Sequence, residues 1–159
     1  LRRRQRQMCI RDSVYSDDLI PVMAKVLCGL GIRHAMVVHG EDGFDEISIS
    51  APTKVAEIKD GGIFEYTITP EQFGLPLAEK EEVVGGSPEE NALITQGILA
   101  GTIRDAKRNI VLLNAGCALY VVGQAGSIGD GVALAAEMID SGAALAKLEE
   151  LKQFTNALA

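Results

Sequence analysis

The chain has 159 residues, 47% of them hydrophobic and 17 of them glycine, a composition typical of one soluble α/β domain. Its net charge of −7 and its 4% aromatic content argue against a nucleic-acid partner, because duplex binding needs positive charge and single-strand binding needs stacking side chains. The three cysteines show no metal-ligand spacing, and no apolar run approaches the ~20 residues of a membrane span. We therefore expect a cytoplasmic protein that binds neither nucleic acid nor a membrane.

Residues 1–13 differ in character from the rest of the chain. They carry five arginines against the single Asp12, show no apolar periodicity and do not begin with Met. Two interpretations remain open: a basic arm, Arg2 to Arg11, that recruits an anionic partner, or foreign sequence joined to a gene. We favour the second, and treat residues 1–13 as a non-native or disordered basic segment that supplies no strand. The folded domain then comprises residues 14–159.

The first part of this domain has a helix-turn-strand pattern. Ser16 and the two aspartates after it are typical of a helix start, where a capping oxygen and negative charge stabilise the first turn. Apolar residues then recur at helical spacing as far as Leu30, and Gly29 and Gly31 end the pattern. Residues 33–38, which contain the apolar run 35–38, are predicted to form a buried strand. A helix, a short turn and a strand make half of a parallel crossover unit. The pattern therefore predicts an α/β fold with a partial parallel sheet flanked by helices.

A short antiparallel section is predicted next. Residues 47–50 alternate between isoleucine and serine, which indicates a strand with one buried face. Two further strands are predicted at residues 53–58 and 63–68, and Asp60-Gly61-Gly62 lies between them. Because glycine tolerates the positive φ of a tight turn, this segment predicts a hairpin at the edge of the parallel sheet.

The second half of the chain is predicted to be helical. Ser87-Pro88-Glu89-Glu90 is a capping box with proline at the first helical position, and it predicts a helix to about Ala100. Residues 105–122 are ambiguous between strand and helix, and their length and apolar spacing favour helix. Residues 128–156 are predicted to be helical with a kink near Ser141-Gly142. The inner stripe of the last helix is expected at Leu145, Leu148, Leu151 and Phe154.

An acidic loop directly follows the predicted strand at residues 33–38. Its sequence, His39-Gly40-Glu41-Asp42-Gly43-Phe44-Asp45-Glu46, contains four carboxylates and two glycines. Ligands of open α/β sheets bind beyond the carboxyl ends of the strands, and carboxylate oxygens suit a hard ion such as Mg²⁺. Adjacent Asp45 and Glu46 are therefore candidate metal ligands, and His39 is either a ligand contact or a structural histidine. The alternative is a solvated turn, because Asp-Gly is also a common hairpin connection.

Several spaced motifs carry a family resemblance. They are residues 37–48 (VVHGEDGFDEIS), 88–92 (PEENA), 111–120 (VLLNAGCALY) and 139–145 (IDSGAAL). With these motifs in this order, the sequence from Val14 to about Thr155 closely resembles the C-terminal part of anthranilate phosphoribosyltransferase. Several motifs in one order are much more specific than a single glycine-rich loop.

The resemblance implies both a fold and an activity. The fold is the C-terminal-domain type of nucleoside phosphorylases and phosphoribosyltransferases, truncated at its N-terminus. The activity is the Mg²⁺-dependent transfer of phosphoribosyl from phosphoribosyl pyrophosphate to anthranilate, in tryptophan biosynthesis. Asp45 and Glu46 match the acidic pair that binds Mg²⁺ in this family. Family members are usually homodimers that associate through a separate helical domain.

The family's phosphate-binding loop and anthranilate contacts lie upstream of the part that matches this chain. We therefore expect the fragment alone to be inactive. Two other functions stay open. A pyrimidine-nucleoside phosphorylase shares the architecture, although the loop with Asp45 and Glu46 matches the transferase better. The second open function is a non-catalytic binding module that recruits an anionic partner through its basic arm.

Overall fold

The structure is a computed structural model that describes residues 9–157, and it confirms the α/β class. The strands are β1 (Cys9–Ser13), β2 (His34–Gly40), β3 (Thr53–Lys59) and β4 (Gly62–Ile68). The helices are α1 (Leu19–Gly29), α2 (Pro88–Leu99), α3 (Ala106–Val121), α4 (Ile128–Asp140) and α5 (Ala143–Asn156). Two short 3-10 helices lie at Pro70–Phe73 and Lys80–Val83. No helix within residues 9–157 is both long and apolar enough to cross a membrane.

The four strands form one mixed sheet in the order β1-β2-β3-β4. Strand β1 pairs in parallel with β2, and α1 makes the crossover between them. Strands β2, β3 and β4 pair antiparallel, so the parallel part of the sheet is limited to its first two strands. The predicted hairpin is confirmed: Asp60 and Gly61 both have positive φ, 50° and 81°, at the turn between β3 and β4.

The prediction that residues 1–13 supply no strand is wrong for Cys9–Ser13. In β1, Cys9 lies opposite His34 and Ser13 lies opposite Val38. Strand pairing uses backbone N–H and C=O groups, which every residue except proline carries, so a polar sequence with little alternation still pairs. Residues 1–8, with most of the predicted basic arm, lie outside the described residues. A non-native origin of this segment stays a prediction.

Helices cover both faces of the sheet and give three layers. Alternate residues of a strand point to opposite faces, so Ala35 and Val37 of β2 pack against α1, whereas Met36 and Val38 pack against the layer that contains α3 and α4. All four side chains are fully buried. This explains why residues 35–38 form a continuous apolar run instead of an alternating one.

Most of the helix ends predicted from short sequence segments are confirmed. Ser87 and Glu90 form the predicted capping box at the start of α2, with Pro88 at the first helical position. Helix α3 confirms the helical interpretation of residues 105–122. The predicted kink is a break between two helices, because Gly142 adopts a left-handed φ of 79° between α4 and α5.

Three details of the sequence prediction were wrong. Residues 47–50 are not a strand: they bend, and the isoleucines and Ser48 are all buried, because Ser48 bonds to the acidic loop instead of facing solvent. Helix α1 begins at Leu19 without a side-chain cap from Ser16. The predicted inner stripe of α5 is not buried. Leu145 and Leu148 are half-buried, and Leu151 and Phe154 are 57% and 64% exposed, since only α2 and α4 contact this helix extensively within residues 9–157.

Candidate functional site

The acidic loop begins where β2 ends. Gly40 donates its N–H to the Phe44 carbonyl oxygen at 2.8 Å, and Gly43 donates to the Gly40 carbonyl oxygen at 2.9 Å. A Cβ atom on Gly40 would lie 2.8 Å from Asp42 Oδ1, 3.1 Å from Ser48 Cβ and 3.2 Å from the Phe44 oxygen, so a larger residue would crowd the turn. The chain therefore reverses at once and presents Asp45 and Glu46 at the carboxyl end of the strand.

Asp42 anchors the loop from inside. Its carboxylate accepts hydrogen bonds from Ser48 Oγ at 2.6 Å, from Ser50 Oγ and from the Phe44 amide at 3.3 Å. Partial burial raises the pKa of Asp42, but the hydrogen bonds from Ser48 and Ser50 outweigh this effect and leave the pKa below its usual value. Asp42 is thus a charged structural acceptor. No local pattern in the sequence predicted this structural role of Asp42.

Asp45 and Glu46 are both exposed. Neither side chain forms a hydrogen bond or ion pair with any of residues 9–157, and no cluster of three or more metal-binding side chains occurs in the same range. Two hard oxygen donors facing water suit Mg²⁺, which keeps several waters and is usually held by one or two carboxylates together with substrate phosphates. The donor set therefore fits Mg²⁺ in a shared site and does not fit a closed protein cage.

Asn114 of α3 fixes the end of the loop, at Ile47. Its Nδ2 donates to the Ile47 carbonyl oxygen at 2.8 Å, and its Oδ1 accepts from the Ile47 amide at 3.1 Å. No role was predicted for Asn114 from the sequence, although it lies within one of the matching motifs. The partners are 67 residues apart, so no local pattern connects them.

Lys80 contacts the acidic loop from outside, and His39 is the first residue of the loop. Lys80 donates to the Asp42 carbonyl oxygen at 2.8 Å, and its Nζ lies 4.7 Å from the centre of the Phe44 ring. His39 is a structural histidine in this structure, because its Nδ1 lies 2.7 Å from the Val14 carbonyl oxygen. Lys80 brings positive charge to the acidic loop from a segment 38 residues away, a contact that no local sequence pattern predicts.

A second polar cluster lies at the other end of the sheet, around Glu57. Its carboxylate accepts hydrogen bonds from His34 Nε2 at 2.8 Å, Tyr120 Oη at 2.8 Å and Tyr66 Oη at 2.9 Å. Burial raises the pKa of Glu57, but these three donors outweigh it and the net pKa is lowered. Burial and the neighbouring Glu57 carboxylate raise the pKa of Tyr66. The cluster joins three strands to α3, which is a structural role.

Cys117 is not placed to act as a nucleophile. The residue is fully buried in α3, and this burial raises the pKa of its thiol to about 12. A thiol with that pKa stays protonated at neutral pH and is a poor nucleophile. Cys117 is therefore a buried free thiol that packs in the core.

Comparison with known proteins places this architecture in a family. A family model described as "Glycosyl transferase family, a/b domain" matches residues 5–145. The anthranilate phosphoribosyltransferase of Methanobrevibacter smithii is 49% identical over 144 residues, which are 91% of this chain and 43% of that protein. The relative therefore confirms the predicted resemblance.

Solved structures agree with the sequence relatives. The anthranilate phosphoribosyltransferase of Thermus thermophilus superposes with a TM-score of 0.80 at 38% identity. That of Saccharomyces cerevisiae in complex with PRPP and Mg gives a TM-score of 0.77 at 30% identity. Each comparison covers 87% of this chain and 40% of the solved chain, so the chain spans about two fifths of the length of these relatives. Because the family model matches most of its residues, the chain belongs to the glycosyl transferase family defined by that α/β domain.

Proposed function

We propose that this chain is the C-terminal part of an anthranilate phosphoribosyltransferase, and that the whole protein transfers phosphoribosyl from phosphoribosyl pyrophosphate to anthranilate. The proposal rests on one observation above all. A hydrogen-bonded loop at the carboxyl end of β2 projects two exposed carboxylates, Asp45 and Glu46, which have no ion-pair partner among residues 9–157, in a fold whose relatives include a complex with PRPP and Mg. We also propose that the whole protein is a homodimer, as the family resemblance implies.

In the proposed reaction, the amine of anthranilate attacks the anomeric carbon of the sugar and pyrophosphate leaves. Mg²⁺ supplies positive charge that neutralises the departing pyrophosphate when it is bound. Asp45 and Glu46 would hold this ion. The contribution of the rest of the loop is orientation, because Asp42 holds the backbone before the pair and less reorganisation is then needed during the reaction.

A chimera tests the activity. The part of the Methanobrevibacter smithii enzyme that precedes the residue aligned with Val14 is joined to Val14, so that it replaces residues 1–13, β1 included, with its own equivalent and supplies the remaining substrate contacts. We expect the chimera to form phosphoribosyl-anthranilate, measured as loss of anthranilate fluorescence, and the 159-residue chain alone to form none.

A matched chimera checks the junction. It carries the corresponding segment of the Thermus thermophilus enzyme behind the same Methanobrevibacter smithii part. If this control is active and the first chimera is folded but inactive, the proposed function is wrong. Measurable product from the unfused chain would show instead that the chain holds a complete substrate site.

Substitution of the acidic pair tests the metal site. In the active chimera, Asp45→Asn combined with Glu46→Gln keeps the shape of both side chains and removes their charge. We expect kcat/KM to fall about a hundredfold, because charge stabilisation of the leaving group is lost, and the Mg²⁺ concentration for half-maximal rate to rise. Glu41→Gln is the control, since Glu41 is exposed in the same loop. Equal rates for both variants would contradict the assignment.

A further inference from the structure

We propose that Asn114 is a positioning residue for the acidic pair, and that its side-chain amide sets the direction in which Asp45 and Glu46 project. The inference rests on the proposed function and adds to it a residue from a different part of the chain. It concerns a contact between helix α3 and the loop, and so it can be tested without the transfer reaction.

The Asn114 amide uses its whole hydrogen-bonding capacity in one orientation. Nδ2 donates to the carbonyl oxygens of Ile47 and Ile110, at 2.8 and 2.9 Å. Oδ1 accepts from the Ile47 amide and from Arg11 Nη1, both at 3.1 Å. A rotated amide would place its NH₂ group against two donors, so the network itself selects the orientation. Both backbone polar groups of Ile47 are thus satisfied by a single side chain.

The location of this contact makes Asn114 more than a general stabiliser. Ile47 directly follows Glu46, and its own side chain is fully buried. On the other side of the pair, Phe44 is held through its N–H by Asp42 and through its carbonyl oxygen by Gly40. The two exposed carboxylates therefore lie between two fixed backbone points, and the distal point is held by Asn114.

Chemistry favours an amide at position 114 over other side chains. A carboxylate would accept from the Ile47 amide but would repel the Ile47 carbonyl oxygen, and it would add a further negative charge to an acidic loop. An alanine would leave both backbone groups of Ile47 unpaired, which weakens the hold on the end of the loop because buried backbone groups need partners. Residues that hold ligands in place typically change affinity about 10–100-fold when removed.

The experiment uses the full 159-residue chain and Mn²⁺ as a paramagnetic probe. Mn²⁺ bound by Asp45 and Glu46 broadens the amide NMR signals of the loop even when binding is weak. We expect Asn114→Ala to raise the Mn²⁺ concentration for half-maximal broadening about tenfold. Amide hydrogen exchange at Ile47 should accelerate in the same variant, which reports the loss of the contact directly.

Tyr120→Phe is the matched control. Tyr120 also joins α3 to the sheet, through its hydroxyl and Glu57, but at the end remote from the loop. It should lower stability without changing Mn²⁺ broadening or exchange at Ile47. One pair of results would overturn the inference and leave the proposed metal site intact. In it, Asn114→Ala shows the same Mn²⁺ broadening as wild type, and the chain with both Asp45→Asn and Glu46→Gln shows none.

Two further outcomes are decisive. If the Asp45→Asn, Glu46→Gln chain still shows the wild-type broadening, the proposed metal site itself is wrong, and the inference fails with it. If Asn114→Ala does not fold, the wild-type chain still gives a test, because the proposal requires the Ile47 amide to exchange much more slowly than the exposed Glu46 amide. Equal exchange rates at these two positions would overturn it.

Discussion

Gly131→Ala is expected to lower the free energy of unfolding by about 3 kcal/mol or more. Helices α3 and α4 meet through their backbones at this point. A Cβ atom on Gly131 would lie 2.2 Å from the Gly116 carbonyl oxygen and 3.1 Å from its Cα. Both contacts are with the backbone of the neighbouring helix, so no side-chain rotation relieves them, and the two helices would have to move apart.

Gly129→Ala is the matched control, because Gly129 lies in the same helix two residues earlier. An added Cβ there would meet only Ser127 Oγ, at 3.8 Å, and alanine should be neutral or stabilise α4 by up to about 1 kcal/mol. Urea unfolding followed by circular dichroism measures both variants. Similar midpoints for the two would contradict the close helix contact.

The same contact connects stability to the site. Gly116 lies two residues after Asn114 in α3, and α3 packs on α4 more extensively than on any other helix within residues 9–157. A shift of α3 away from α4 would therefore move Asn114 relative to Ile47. In the chimera, we expect glycine substitutions at this crossing to impair metal dependence as well as folding, since the loop orientation depends on where α3 lies.

Local chemistry predicted much of the fold. The capping box at Ser87, the turn at Asp60-Gly61 and the buried strand at β2 depend on neighbouring residues, and each was predicted from a short segment. The acidic pair was found in the same way, because a strand end followed by carboxylates is a local signal. Its role as a metal site stays a prediction that the proposed experiments test.

Long-range contacts were beyond sequence reasoning. Asn114 is 67 residues from Ile47, and Lys80 is 38 residues from Asp42. Neither pair has a periodicity or a motif that relates its members. The alternation of isoleucine and serine at residues 47–50 predicted a strand that does not form, for a related reason. The Ser48 hydroxyl donates a hydrogen bond to Asp42, so this polar side chain is buried and does not face solvent.

Glu57→Ala is expected to destabilise the protein by about 3 kcal/mol at pH 7, since it leaves three donors from His34, Tyr66 and Tyr120 without their acceptor. Glu57 is only 8% exposed, so water replaces the lost bonds poorly. Glu57→Gln retains an acceptor and should cost less. Glu65→Ala is the control: Glu65 is exposed on the adjacent strand, and its loss should change stability by less than about 0.5 kcal/mol.

The pH dependence separates the charge of Glu57 from its packing. The folded-state pKa of this carboxyl lies below its ordinary value of 4.5, so its ionised form contributes stability above pH 4.5 that is lost as the pH falls through the lowered pKa. Glu57→Gln has no such group. The difference in unfolding free energy between wild type and Glu57→Gln should therefore shrink on acidification below pH 4.5, as urea titrations at several pH values would measure. A difference that widens on acidification would mean that the buried carboxyl is protonated in the folded protein, and the three donors would then need another explanation.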